Sequence, residues 1–187
     1  MSRDREILDA AAALFYEKGF HGVGVDEIGE KVGISGPALY RHFSGKDEIL
    51  ATLFNEALDE LIAAATPVHE DPREDLERLI RHHAEFSINN RHVINVYQRE
   101  DRSLTDPWRK HFDRRMRKYA SMWEAALARC YPDAGPKHIA AATQAAIGLI
   151  HSVPFWPPSA FAADDLPDLL LRLVTDGLNT LGPSPAK

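Results

Sequence analysis

Two short helical segments joined by a glycine turn are the feature that most constrains the fold of this chain. Residues 24–33 (GVDEIGEKVG) begin with two acidic side chains, which complement the positive end of a helix dipole, and Gly33 suits a tight turn. A second short helix is predicted over 36–42, because Ser35 can cap it and Pro37 fits its first turn, where a missing N–H costs nothing. This order of elements predicts a helix-turn-helix motif.

The second short helix has an apolar side and a polar side. Leu39 and Phe43 are four residues apart and are expected to point into the core. Tyr40, Arg41 and His42 then lie away from that side, and their side chains can donate hydrogen bonds to phosphate oxygens or base edges. An ordinary capped helix hairpin with a solvated polar face explains the same pattern, so the motif alone leaves both interpretations open.

The rest of the chain shows apolar residues at helical spacing and no stretch with the two-residue alternation typical of strands. We therefore predict an all-α fold of about nine helices, with an N-terminal three-helix helix-turn-helix domain and a larger C-terminal helical bundle. The early helices are short and the later ones long, which places the domain boundary near residue 50 and divides the chain into 1–50 and 51–187. Besides the two segments above, helices are predicted over 3–18, 46–66, 72–89, 91–99, 107–131, 136–153 and 165–181.

Composition excludes several classes of protein. The 187 residues include 22 Lys and Arg against 28 Asp and Glu, so a nucleic-acid binder that is basic throughout is excluded, although a local basic face is not. The single cysteine, Cys130, permits no internal disulfide, which is typical of a reducing cytoplasm. No apolar stretch is long enough to span a membrane, and the first residues lack a signal-peptide pattern. We expect a cytoplasmic protein with no membrane partner.

An enzyme is the main competing class. The nine histidines show no metal-ligand spacing such as His-Glu-x-x-His, and the chain has no glycine-rich loop that could hold a phosphate group. We therefore expect no enzymatic activity, no bound metal and no cofactor.

Three motifs occur in order along the first part of the chain: AAALFYEKGF, DEIGEKVGIS and LYRHFSGKDEIL. Together they cover residues 3–55, and this stretch resembles the DNA-binding domain of the TetR family of bacterial transcriptional regulators. The resemblance implies that the second helix of the motif, Gly36–His42, is a recognition helix for double-stranded DNA. Its N-terminal residues would approach base edges, and its later side chains, with the start of the next helix, would contact phosphates. The implied DNA-contacting residues are Ser35, Gly36, Pro37, Ala38, Tyr40, Arg41, His42 and Lys46.

Aromatic side chains follow one side of the predicted helix 107–131. Trp108, Phe112, Met116, Tyr119 and Trp123 fall within a stripe of about 100°. Such a stripe is typical of a structural core, but it also suits the wall of a large apolar pocket, which Phe86 and Tyr97 on neighbouring helices could join.

Arginines surround this stripe in the only basic segment of the chain, 99–118, which has eight Lys or Arg and four acids. Arg109 and Arg115 flank the stripe and Arg99 and Arg102 precede it, so they can meet an anionic group entering beside the pocket. The segment HVINVYQREDRSL resembles TetR-family regulators of lipid catabolism that respond to acyl-CoA thioesters. Neighbouring acids could instead pair these arginines. The predicted effector-binding residues are Phe86, Tyr97, Arg99, Arg102, Trp108, Arg109, Phe112, Arg115, Met116, Tyr119 and Trp123.

The predicted helix 136–153 is apolar on both sides and carries small residues, and the last helix carries leucines and a valine along one stripe. Burial on both sides of a helix is expected where a second subunit packs, so we predict a homodimer through these helices. A monomeric bundle core explains the same pattern. A dimer would present two recognition helices to a pseudo-palindromic operator.

Taken with these observations, the family resemblance implies a ligand-responsive transcriptional repressor. It would bind a pseudo-palindromic operator as a homodimer and be released by a small apolar effector or an acyl-CoA-type effector. The alternative is a helical effector-binding or adaptor protein that does not bind DNA.

Overall fold

The computed structural model describes residues 2–182, and within this range it contains nine α-helices and no strand. The all-α prediction is therefore confirmed. Four short 3-10 segments, at Asp101–Ser103, Val153–Phe155, Pro158–Ala162 and Asn179–Leu181, join or follow the longer helices. The α-helices are α1 (Arg3–Lys18), α2 (Val25–Lys31), α3 (Gly36–Leu39), α4 (Lys46–Ala65), α5 (Pro72–Asn89), α6 (Arg91–Glu100), α7 (Trp108–Cys130), α8 (Pro136–His151) and α9 (Leu166–Leu178).

The predicted range of the second short helix, 36–42, is wrong at its end, because α3 stops at Leu39. The backbone N–H groups of Arg41 and His42 donate to the carbonyl oxygens three residues earlier, at 3.2 and 2.9 Å. This spacing is that of a turn tighter than an α-helix. Tyr40, Arg41 and His42 therefore lie on a turn that follows α3, and Phe43 is still buried after it.

The described residues fall into two compact units. The first comprises the residues up to Asp59 together with His92–Arg115, and the second comprises Glu60–Arg91 together with the residues from Met116 onward. The chain therefore passes from one unit to the other three times, and α4 and α7 each contribute residues to both.

The core of the first unit is formed mainly by apolar side chains of α1 to α4. Phe15 and Phe20 pack edge to face with their ring centroids 5.3 Å apart, so the segment after α1 packs against the last turn of this helix. Gly19 and Gly33 have φ angles of 74° and 71°, a conformation that glycine adopts without a steric penalty. The predicted turn at Gly33 is thereby confirmed. The largest fully buried residues of this core are Ile7, Leu8, Phe15, Ile28, Leu39, Ile49 and Leu50.

The second unit is built on α5, α8 and α9. Asp71 caps α5 by accepting hydrogen bonds from the N–H groups of Arg73 and Glu74, and Pro72 occupies the first turn, as such a sequence predicts. Ala84, Val153, Leu166 and Leu170 form a buried cluster among these helices. Among the residues that the structure describes, no helix is long and apolar enough to cross a membrane.

Candidate functional site

The helix-turn-helix is held by a close approach between α2 and the start of α3. Gly36 is buried, and a Cβ atom added to it would collide with the carboxylate of Asp26. A Cβ atom added to Gly29 would lie 2.8 Å from the carbonyl oxygen of Ile34. Gly29 is therefore required by packing against the backbone, whereas a side chain at Gly36 would displace the Asp26 carboxylate. The positions of these glycines in the sequence did not reveal either role. The Ser35 hydroxyl accepts a hydrogen bond from the Ala38 N–H at 3.3 Å, which confirms the predicted cap.

The turn after α3 presents polar side chains outward while its neighbours are buried. Leu39 is fully buried and Phe43 nearly so, as predicted, whereas Tyr40 is 56% exposed. Arg41 is also exposed. Within residues 2–182 neither the Tyr40 hydroxyl nor the Arg41 guanidinium has a hydrogen-bond partner, so both can donate to an incoming acceptor.

Two other predicted DNA-contacting side chains already have partners. His42 Nδ1 lies 2.6 Å from Oδ1 of Asp4. Lys46 Nζ donates to the carbonyl oxygens of Phe20 and Val23 at 3.0 and 3.2 Å, and it lies 4.5 Å from the centroid of the Phe20 ring. An ammonium group has three N–H bonds, so one donor of Lys46 remains for a further acceptor.

The predicted effector residues are divided between the two units, seven in the first and four in the second. In the first unit Tyr97 and Phe112 form an aromatic cluster with Phe54, and the ring centroids are 5.5 to 5.7 Å apart. Burial raises the pKa of the Tyr97 phenol above its usual value. Phe54 did not appear among the predicted residues, because nothing in its local sequence distinguishes it from an ordinary core residue.

Three of the four arginines predicted to meet an anion have partners inside the first unit. Arg99 donates to the carbonyl oxygen of Tyr16 at 3.2 Å. Arg109 donates to the carbonyl oxygen of Asp101, and its Nε lies 3.5 Å from the Asp113 carboxylate. Arg115 donates to Asn55 at 2.9 Å and pairs with the Asp59 carboxylate. Arg102 is exposed and has no such partner among the described residues.

A cavity of about 450 Å³ lies between α4 and the start of α7 in the first unit. It brings together Trp108 and Arg115, two of the predicted effector residues, and adds His111. Its α4 side is lined by Ala51, Thr52, Asn55, Glu56 and Asp59.

The second unit contains a buried polar cluster around His83, which is fully buried. The Tyr119 hydroxyl lies 3.0 Å from His83 Nδ1, and His83 Nε2 lies 3.0 Å from Nε2 of His151. The Trp123 ring packs edge to face on His83, with centroids 5.6 Å apart, and its buried indole N–H has no hydrogen-bond partner in the described part of the chain. Tyr119 and Trp123 were predicted effector residues, whereas the two histidines lack metal-ligand spacing and no sequence signal pointed to them.

Burial controls the protonation of this cluster. It lowers the pKa of His83 well below its usual value and lowers the pKa of His151 to about 4. Both imidazoles are therefore neutral at physiological pH, and Tyr119, His83 and His151 form an uncharged chain of polar groups.

The other two predicted effector residues of this unit are Phe86, which is buried, and Met116, which is half-buried. No group of three or more potential metal ligands occurs within residues 2–182.

A shallow groove of about 230 Å³ runs between α8 and α9. Small residues line it on the α8 side, including Ala142 and Ala145, and Gly177 lines it on the α9 side. Leu173, at the same groove, is 48% exposed. An apolar, half-exposed helix pair of this kind resembles one side of a helix–helix interface.

Two family models match the chain. The model described as bacterial regulatory proteins, tetR family, matches residues 7–53, and the model of the tetracyclin repressor-like C-terminal domain matches residues 69–178. The transcriptional repressor KstR2 of Mycobacterium tuberculosis is 32% identical over 130 residues, which cover 67% of this chain and 65% of the repressor. The transcriptional activator FasR of Mycolicibacterium smegmatis is 32% identical over 77 residues, which cover 41% of this chain and 35% of the activator. The chain thus matches less than two thirds of the length of these relatives.

Solved structures share the whole fold. A tetR-family regulatory protein from Rhodococcus RHA1 superposes with a TM-score of 0.85 at 24% identity, covering 99% of this chain and 100% of the other. AibR, solved in complex with isovaleryl coenzyme A and operator DNA, superposes with a TM-score of 0.79 at 20% identity, covering 97% of this chain and 99% of the other. At these identities the likeness concerns the fold alone. The two family models, one of which covers more than half of the chain, show that the protein belongs to the TetR family, whose members are transcriptional regulators and not enzymes.

Proposed function

We propose that this protein is a cytoplasmic, ligand-responsive repressor that binds a pseudo-palindromic operator as a homodimer. Residues 1–50 would form the DNA-binding domain, and residues 51–187 would bind the effector and the second subunit. The observation that carries the proposal is the turn after α3, where Tyr40 and Arg41 are exposed and unpartnered between the buried Leu39 and Phe43. Polar donors on a rigidly seated turn are suited to phosphate oxygens.

The proposed DNA contacts are those expected from the sequence. The start of α3, from Ser35 to Ala38, would approach base edges, and because it offers few base-reading side chains, specificity would rest on the backbone, on Arg41 and on DNA shape. Tyr40, His42 and Lys46 would contact phosphates. The remaining donor of Lys46 and the free Nε2 of His42 are compatible with this role.

The DNA-binding role is tested by comparing Tyr40→Ala with Tyr40→Phe. We expect both to weaken binding to all DNA sequences, because the hydroxyl donates to phosphate, and Tyr40→Phe to retain the ring's contacts. Binding is measured by fluorescence anisotropy of a labelled duplex taken from upstream of the protein's own gene. Unchanged affinity in both variants would contradict the placement of Tyr40.

The proposed effector is a small apolar molecule or an acyl-CoA-type molecule. In the first unit Tyr97 and Phe112 could contact an apolar chain, and the exposed Arg102 of the same unit could meet a phosphate group. The neutral cluster around His83 favours an effector whose buried portion is uncharged, because a buried carboxylate would require a paired cation. AibR, which shares the fold, was solved with isovaleryl coenzyme A, and this supports the acyl-CoA class.

The effector class is tested by a thermal-shift series with acyl-CoA thioesters of increasing chain length. We expect the melting temperature to rise with the thioester of best-fitting length, and the same thioester to release labelled DNA. Free coenzyme A is the matched control for the phosphate groups alone. If no thioester shifts the melting temperature, the acyl-CoA proposal is wrong, whereas the DNA-binding proposal is unaffected.

A further inference from the structure

We propose that Glu100 is a positioning residue for DNA binding, because it holds the Phe20 peptide group to which Lys46 is hydrogen-bonded. This inference rests on the proposed DNA-binding function and adds a residue to it that lies outside the helix-turn-helix. All three residues belong to the first compact unit. Glu100 and Lys46 do not share a direct contact in this arrangement; the Phe20 peptide connects them.

The Glu100 carboxylate is itself oriented by two hydrogen bonds. One oxygen, Oε1, accepts the Phe20 N–H at 3.2 Å, and the other, Oε2, accepts the Ser103 hydroxyl at 3.0 Å. The Ser103 oxygen also lies 3.2 Å from Nε2 of His21. A carboxylate fixed at both oxygens holds its backbone donor in one place, and hydrogen bonds to charged groups are stronger than neutral ones.

Lys46 is oriented by the carbonyl side of Phe20, the residue whose N–H group is held by Glu100. Its ammonium donates to the Phe20 carbonyl oxygen at 3.0 Å and to the Val23 carbonyl oxygen at 3.2 Å. The Phe20 ring lies 4.5 Å away and adds a cation–π contact. Two of the three N–H bonds are thereby fixed, so the third points in a defined direction. Lys46 therefore loses its rotamer freedom on folding and not on binding to DNA.

The segment from Gly19 to Val23 has no helix of its own to hold it. Gly19 has a φ angle of 74°, and a Cβ atom added there would lie 3.3 Å from Oε1 of Glu100, so the carboxylate rests directly on this segment. Arg99 fixes the preceding end of α1 by donating to the Tyr16 carbonyl oxygen. Residues 99 and 100 lie in the part of the chain matched by the C-terminal family model, whereas Phe20 and Lys46 lie in the N-terminal match. A residue of the C-terminal region thus sets the position of a proposed phosphate contact.

Loss of the Glu100 side chain is expected to change the affinity for DNA in the direction opposite to that expected from charge alone. Removing an acidic side chain from a DNA-binding protein normally strengthens binding, because it removes a repulsion with phosphate. Glu100→Ala is expected instead to weaken binding, by about fivefold for each Lys46 that contacts DNA, since the lysine must then be ordered on binding. Glu100→Gln keeps an acceptor oxygen for the Phe20 N–H and is expected to retain most of the affinity.

The experiment measures the affinity of the full chain for the labelled upstream duplex by fluorescence anisotropy at several salt concentrations. The matched control is Glu17→Ala, which removes the same charge from an exposed position of α1 and should leave the affinity unchanged or slightly higher. In a Lys46→Ala background, Glu100→Ala should have no further effect, because the side chain that it positions is gone. A merely structural role would weaken binding in both backgrounds.

DNA binding by the wild-type protein and by the variants distinguishes failure of the proposed function from failure of the Glu100 role. If the wild-type protein binds no DNA, the proposed function fails and the inference fails with it. If the wild-type protein binds but Glu100→Ala, folded by circular dichroism, binds equally well or more tightly, only the inference is overturned. If Glu100→Ala does not fold, Ser103→Ala decides, because it releases one carboxylate oxygen without changing charge. Weakened binding by that variant supports the inference, and unchanged binding overturns it.

Discussion

The buried pair of His83 and His151 makes the stability of this protein depend on pH in a defined range. Both imidazoles are neutral in the folded state, and burial lowers the pKa of His151 to about 4. In the unfolded chain a histidine titrates near its ordinary pKa of about 6.5. Between these two values the unfolded state therefore binds more protons than the folded state does.

The sign and size of the effect follow from this difference. The free energy of unfolding is highest above pH of about 6.5, falls as the pH is lowered through the window, and levels off below about 4 for His151. A difference of about 2.5 pKa units corresponds to about 3 kcal/mol for that residue alone. His83, whose pKa is also lowered, adds to the loss. Asp71 and Asp75 have lowered pKa values and titrate below this window.

The assay is urea denaturation at a fixed protein concentration between pH 7.5 and pH 4.5. We expect the free energy of unfolding to fall most steeply near pH of about 5.5, and His151→Leu to reduce that slope by about half because one of two protons is removed. His111→Leu is the matched control, since His111 is exposed in the first unit. A free energy of unfolding that is independent of pH across this window, or a slope that His151→Leu leaves unchanged, would refute the account of the buried pair.

Three further predictions concern the fold and the surfaces. Gly29→Ala should destabilise the protein by about 1–3 kcal/mol, because the added Cβ atom would meet the Ile34 carbonyl oxygen. Its contrast is Gly24→Ser, at an open position before α2, which should stabilise the protein by a few tenths of a kcal/mol. Chemical denaturation measures both changes in the free energy of unfolding. Leu173→Glu should shift sedimentation from dimer to monomer and weaken operator binding without unfolding the chain, and a monomeric wild-type protein would contradict the dimer. Arg102→Ala should reduce the rise in melting temperature produced by an acyl-CoA thioester but not the rise produced by the corresponding uncharged ester. If the thioester raises the melting temperature equally in the wild-type protein and in the variant, Arg102 is not part of the effector site.

Local signals in the sequence were enough to predict most of the helices. Ser35 and Pro37 start α3, and α5 begins at Pro72 as predicted, because caps and prolines act through the backbone of their own turn. The glycine turn at Gly33 was predictable for the same reason. The early end of α3 at Leu39 was not predictable, because no proline or glycine marks it and the backbone of Tyr40, the next residue, remains in the right-handed helical region.

The interactions that the sequence did not reveal are between distant segments. His83 and His151 are 68 residues apart, and neither has a neighbour in the sequence that would suggest a pair. The partners of Arg115, on α4, are likewise 56 and 60 residues away, so its role as an intramolecular donor could not be read from its basic segment. The hydrogen bond between Phe20 and Glu100 spans 80 residues. Such pairings depend on how helices pack, which helical periodicity does not determine.

We propose that the face presented by α3 and the turn after it binds an operator. The most direct measurement is the affinity for a labelled duplex from upstream of the protein's own gene, compared with a scrambled duplex of the same length, over a range of salt concentrations. We predict saturable binding that prefers the upstream duplex and falls steeply with salt. Lys46→Ala should reduce the slope of log affinity against log salt by about one for each phosphate that this lysine neutralises in the wild-type complex. Equal affinity for the two duplexes, or no saturable binding at low salt, would contradict the account.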